Sequence, residues 1–146
     1  MNMTEDKARE GFQTGIDCSQ AVLGACAPAI GMDEDAAKKL AAGFGGGMWH
    51  GQTCGCVTGA LMALGAKYGN CKPGDQDTKQ AFLAKKAEFE ERFAAANESL
   101  VCKEILGYDL SDPAQMKIIM EKGLLMSVCP KLVVSACEIL EDMLHD

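Results

Sequence analysis

Thr53-Cys54-Gly55-Cys56 places two thiols one residue apart. A glycine run precedes them, Gly43 and Gly45 to Gly47, and an apolar stretch follows with Gly59, Ala60, Ala63 and Gly65. That pattern predicts a buried helix from Cys54 to about Tyr68, with Thr53 as its cap. Both thiols then fall in the first turn, where unpaired N–H groups and the positive end of the helix dipole favour a thiolate. A thiol of lowered pKa is the better nucleophile and the better metal ligand at neutral pH. Cys129, followed by Pro130 at another predicted helix start, gains the same help. Residues i and i+2 of a helix point about 200° apart. Cys54 and Cys56 therefore suit partners on other elements better than each other, and Cys18, Cys102 and Cys129 are the candidates.

The remaining chemistry-bearing residues divide by context. Cys26 and Cys137 lie in helix interiors and are expected as small core hydrophobes. Cys71 stands beside Lys72 in a turn and is expected at the surface, while Cys102 is balanced between core and site. His50, four residues before Cys54, has the chemistry of a base toward a thiol or of a metal ligand, although a loop histidine is most often only solvated. His145 reads as a solvated tail residue. The glycine run lacks the Gly-Lys-Ser/Thr end of a phosphate-binding loop. No Cys-x-x-Cys is present, which excludes the thioredoxin and c-type haem motifs, and neither zinc-finger nor ferredoxin spacing occurs. Four thiols from four separate elements, Cys18, Cys54, Cys102 and Cys129, remain able to hold zinc or an iron–sulfur cluster.

These thiols need a scaffold, and its type is legible. With 146 residues the chain suits one domain, residues 1–146. It is 48% hydrophobic but only 5% aromatic, so the core is built from small and aliphatic side chains, which favours closely packed helices. Helices are expected from Met3 to about Ala29, with a break allowed at Gly11 or Gly15; from Glu34 to about Ala42, capped by Asp33; and from Thr78 to about Ala96, capped by Asp77. A short helix covers Val101 to Leu106. Two more start at Pro113, after Asp112, and at Pro130, with Cys129 as cap. No hairpin chemistry is visible, so the expected fold is an all-α bundle of six to seven helices. A net charge of −7 without a basic stripe argues against nucleic acid. The polar N-terminus lacks a signal-peptide core, and no apolar run is long enough to insert in a membrane, so a cytoplasmic location is expected. In that reducing setting many cysteines mean redox or metal work more often than structural disulfides.

Taken together, "DCSQAVL", "GFGGGMWHGQTCGCVTGALMALGAKYG", "CKEILGYDL" and "CPKLVVSACEIL" resemble a redox-active family named for its C_GCAxxG_C_C signature. The resemblance runs from Cys18 to Leu140. It implies signature cysteines at Cys18, Cys54, Cys102 and Cys129 and a Cys-Gly-Ala-x-x-Gly block carried by Cys54, Gly55 and Gly59. Cys56 departs from the block, standing where Ala is usual. Because such proteins are often encoded near transporter genes, a membrane transport system joins a redox protein as an implied partner. Three functions follow for the chain. One is a thiol–disulfide oxidoreductase in which Cys54 is the low-pKa thiolate and a neighbouring cysteine resolves it. Another is a zinc or iron–sulfur module on the same cysteines. The last is a non-catalytic interaction protein.

Overall fold

The computed structural model describes residues 1–145, and among these it is all-helical, with nine α-helices. Thr4 caps α1 (Glu5–Gln13), its hydroxyl accepting the Lys7 N–H at 3.2 Å. A left-handed Gly15 then breaks the chain, and α2 (Cys18–Cys26) starts afresh behind Asp17. A tight 3₁₀ turn over Ala27–Ile30 leads to α3 (Glu34–Leu40), whose cap Asp33 accepts from the Ala36 N–H at 3.0 Å. The remaining helices are α4 (Gly55–Tyr68), α5 (Gln76–Asn97), α6 (Cys102–Leu106), α7 (Pro113–Lys122), α8 (Leu124–Ser127) and α9 (Cys129–Met143).

The helix count corrects the expected six to seven, and two breaks account for the difference. The predicted Met3–Ala29 helix is two helices, divided around Gly15 and Asp17. The predicted helix from Pro113 to Leu125 stops at left-handed Gly123, leaving α8 separate. Three caps also differ. Thr53 forms a lone antiparallel bridge with Val101, and Cys54 is the residue that caps α4. Cys129 is the first residue of α9, behind Val128. Asp75, not Asp77, caps α5, accepting from the Thr78 N–H at 3.2 Å. Asp75→Ala is accordingly expected to lower the urea midpoint more than Asp77→Ala; equal effects would return the cap to Asp77.

Helices α2 and α4 cross at the centre and approach so closely that a Cβ on Gly59 would lie 2.8 Å from the Ser19 carbonyl oxygen. Around them Val22, Leu23, Val57, Leu64, Phe89, Phe93, Val133 and Leu140 make the main core. A smaller apolar cluster, Cys102, Leu106, Leu110 and Ile119, forms under α6 and α7. Cys54 belongs to the first cluster and Cys102 to the second, and the thiol site lies on the seam between them. Among the described residues no single helix is long and apolar enough to cross a membrane.

Candidate functional site

Four helix starts and one loop build the site. At the head of α2, the Asp17 N–H donates to Gln20 Oε1 at 2.9 Å, which fixes the entry and leaves Cys18 as the first helical residue. The glycine loop turns over that point. Gly46, Gly47, Met48 and Trp49 have φ of 59, 62, 59 and 58°, a left-handed turn that Gly46 and Gly47 enter freely. Met48 and Trp49 hold the same conformation at about 1 kcal/mol or more each, a strain that surrounding structure must offset. The turn aims the Gly46 N–H at the Cys18 sulfur. It also lays the Trp49 ring beside Gly46.

The head of α4 is tied across to α6. Cys54 N–H donates to the Leu100 carbonyl at 2.7 Å and Cys102 N–H to the Gln52 carbonyl at 2.6 Å. This pair of bonds flanks the antiparallel Thr53–Val101 bridge and sets Cys54 opposite Leu100 and Cys102 opposite Gln52, diagonally across it. Gly55 makes room for the sulfurs. A Cβ there would fall on Cys18 Sγ and lie 3.0 Å from the Phe44 carbonyl oxygen. The start of α9 contributes Cys129. Cys18, Cys54, Cys102 and Cys129 all line one cavity of about 260 Å³. Cys56, fully buried, lies beside Cys18 and Cys54 but not on the cavity wall.

Hydrogen bonding decides which sulfur loses its proton. Cys18 accepts from the thiols of Cys54 and Cys56 and from the backbone N–H groups of Gly46 and Ser19. These donors outweigh burial and hold the Cys18 thiol well below its ordinary pKa. Cys54, donating to Cys18, is pushed well above its ordinary value, and burial does the same to Cys56. The expectation that Cys54 is the low-pKa thiolate is therefore corrected: the position belongs to Cys18. Burial, with the Cys18 and Asp109 charges adding to it, raises Cys102 to about 12. Burial and the charges of Cys18 and Cys102 raise Cys129 as well.

The other sequence candidates lie elsewhere. His50 is exposed and does not line the cavity, and Cys71 is exposed in its turn. Cys26 and Cys137 are buried in the main core, where burial raises each to about 12. Two residues of the wall were not singled out from sequence. Apart from the cysteines, Asp17 is the only ionisable side chain among the described residues that line the cavity, and burial and the neighbouring Cys18 raise its pKa. Trp49 covers the Gly46 side and is 45% exposed, so it reaches from the cavity to solvent. Asp17 had a sequence signal in the Asp-x-x-Gln spacing of a capping box. Trp49 had none.

Among the described residues no group of three or more His, Cys, Asp or Glu side chains is arranged to hold a metal ion.

The buried thiols carry a pH consequence. Cys26, Cys54, Cys56, Cys102, Cys129 and Cys137 all have raised pKa values. A raised group stabilises the fold fully below its unfolded pKa of 9.0 and loses that contribution as pH climbs towards the folded value, about 12 for Cys26. Cys18 has the opposite sign: its contribution is complete above 9.0 and fades as pH falls through its lowered pKa. Six groups outweigh one. The melting temperature is expected to fall steeply above pH 9, each thiol costing up to ~1.4 kcal/mol per pH unit, and to fall less steeply in Cys137→Ala. Circular dichroism melts across that range check it.

No curated protein and no solved structure matches the chain. A family model does match, over residues 16–143, and its description is "Putative redox-active protein (C_GCAxxG_C_C)". The matched span takes in every cysteine of the cavity wall, together with Gly55, Gly59 and Cys56. The chain belongs to this C_GCAxxG_C_C redox-active family.

Proposed function

We propose that the protein is a dithiol oxidoreductase in which Cys18 is the attacking thiolate and Cys54 the resolving thiol. The convergence of four hydrogen-bond donors on Cys18 Sγ, at the wall of a cavity, carries this reading. Such donors favour the thiolate over the thiol, and it stays reachable, since Cys18 is only half-buried. Family membership supports redox work in general terms.

The two thiols act in sequence because each sets the other's proton. While Cys18 is a thiolate, its hydrogen bond and negative charge keep Cys54 protonated. Once Cys18 is bonded to an oxidised atom, that charge is gone. Around Cys54 the Cys56 thiol and the Cys56 backbone N–H then favour its anion, against burial, which alone still opposes it. Cys54 then attacks Cys18 Sγ, the foreign group departs, and a Cys18–Cys54 disulfide closes. Cys102 and Cys129 shield this step in apolar surroundings. A two-electron thiol reductant, small or a partner protein, restores both thiols, which suits a reducing compartment such as the cytoplasm.

Oxygen-free reduced protein treated with stoichiometric diamide tests the proposal. Two of the eight thiols should disappear reversibly, and peptide mapping should find Cys18 joined to Cys54. Eight unreacted thiols, or a bond that omits Cys18, would overturn it and leave a binding role for the fold.

A further inference from the structure

The cavity beside Cys18 has a chemistry of its own. Its wall is apolar, with Phe12, Leu110, Met116, Met120, Leu132 and the Trp49 ring among its lining. Apart from the sulfurs, Asp17 is its only ionisable side chain among the described residues. No basic group faces in, so a charged disulfide or a carboxylate finds no counter-charge. A dry apolar cavity of about 150 Å³ holds a benzene ring. The 260 Å³ here accommodates such a ring with a few further atoms. Cys54 and Cys102, at 4% and 7% exposure, sit too deep for a folded protein's disulfide to reach both.

We infer that the cavity is the substrate site for a small, uncharged organic hydroperoxide, with Asp17 as the proton donor to the departing oxygen. The inference rests on the dithiol reading above and names its oxidant. Cys18 thiolate attacks the terminal oxygen of ROOH, an S–O bond forms and the O–O bond breaks. The peroxide takes two electrons and the Cys18 sulfur gives up two. The RO⁻ so released takes the Asp17 carboxyl proton and leaves as ROH, and Cys18 is left as sulfenic acid. Cys54 then displaces the hydroxyl, which leaves as water with the Cys54 proton, and the Cys18–Cys54 disulfide forms. Asp17 recovers its proton from solvent and an external dithiol reduces the disulfide.

Asp17 suits this role on position first. It directly precedes Cys18, lines the same cavity, and has the glycine loop close against it: a Cβ on Gly45 would lie 2.6 Å from Asp17 Cβ. Burial and the Cys18 charge both shift its carboxyl towards the protonated form. The protein's one tryptophan, Trp49, lies on the cavity wall and reports on it by fluorescence.

Stopped-flow mixing of the reduced protein with cumene hydroperoxide or hydrogen peroxide, following Trp49 fluorescence and free thiols, tests the inference. Cumene hydroperoxide should react at least about tenfold faster, as expected when an apolar pocket holds the larger group. Met120→Glu, at a 61% exposed position on the wall, puts a charge in the apolar lining and should remove that preference, slowing cumene hydroperoxide more than hydrogen peroxide. Asp17→Asn keeps a good helix cap and should slow both peroxides by roughly 100-fold. Its effect on the reaction with neutral 2,2′-dithiodipyridine should be far smaller, because that leaving group needs no carboxyl proton. Equal rates for the two peroxides would overturn the inference. So would reaction with diamide but with neither peroxide, and in both cases the dithiol reading stands. Failure with diamide as well removes both.

Discussion

Gly55→Ala is expected to disable the site without altering any sulfur. The new methyl group would occupy the position of Cys18 Sγ and press on the Phe44 carbonyl and on Gly45 Cα at 3.0 and 3.1 Å. Backbone lies on two sides, so the sulfur is the part that yields. Its displacement breaks the hydrogen bonds from the Gly46 N–H and from the Cys54 and Cys56 thiols, and these are what hold the thiolate. The Cys18 pKa then rises towards that of a buried thiol, and its alkylation at pH 7 slows by at least about tenfold, each pKa unit being worth ~1.4 kcal/mol. Overpacking lowers stability by about 1–3 kcal/mol as well. Gly59→Ala separates the two effects. It forces α4 against the Ser19 carbonyl at 2.8 Å and is expected to cost similar stability, yet it does not touch the Cys18 sulfur or its Gly46, Cys54 and Cys56 donors. Urea unfolding and timed alkylation of both variants check the pair. Equal loss of Cys18 reactivity in the two would mean that stability, not the donor set, governs the thiolate.

Cys54→Ser is expected to change the product of oxidation. Without a resolving thiol the Cys18 sulfenic acid persists and takes a second oxidation to sulfinic acid, which thiol reductants do not reverse. Intact-mass measurement after excess peroxide should show gain of oxygen at Cys18 where the unaltered protein shows loss of two hydrogens. Reactivity of Cys18 also falls, since Ser donates in place of one thiol but removes the coupling that keeps the pair at one negative charge. Cys56→Ala should still yield the Cys18–Cys54 disulfide, because Cys56 serves as donor and lies off the cavity wall. A disulfide that survives in Cys54→Ser but vanishes in Cys56→Ala would exchange the two roles.

Much of this arrangement was legible in residue types and spacing. The small residues of the segment from Gly55 to Gly65 predicted a tightly packed central helix, and α4 is that helix. The cysteines singled out at 18, 54, 102 and 129 line a common cavity. What escaped the sequence depends on contacts distant along the chain. Helix-dipole reasoning favoured Cys54, Cys56 and Cys129 because they open predicted helices. Cys18 opens one too, but the break allowed at Gly11 or Gly15 did not by itself put a helix start at Cys18. Nor does a local rule supply its other donors, which come from Gly46, Cys54 and Cys56, and those depend on the left-handed turn and on the α2–α4 crossing. Met48 and Trp49 in that turn break the preference of ordinary residues for negative φ, and only the folded loop requires it. Asp75 took the cap from Asp77 because α5 begins two residues earlier than its charge pattern suggests.

The most direct measurement is alkylation of the native, reduced Cys71→Ser protein with iodoacetamide across pH, with each cysteine followed by peptide mass spectrometry. The account predicts that Cys18 is labelled first, with a midpoint well below 9.0, while Cys54, Cys56, Cys102 and Cys129 stay unlabelled in that range. Labelling of Cys54 ahead of Cys18, or a Cys18 midpoint at or above 9.0, would contradict it.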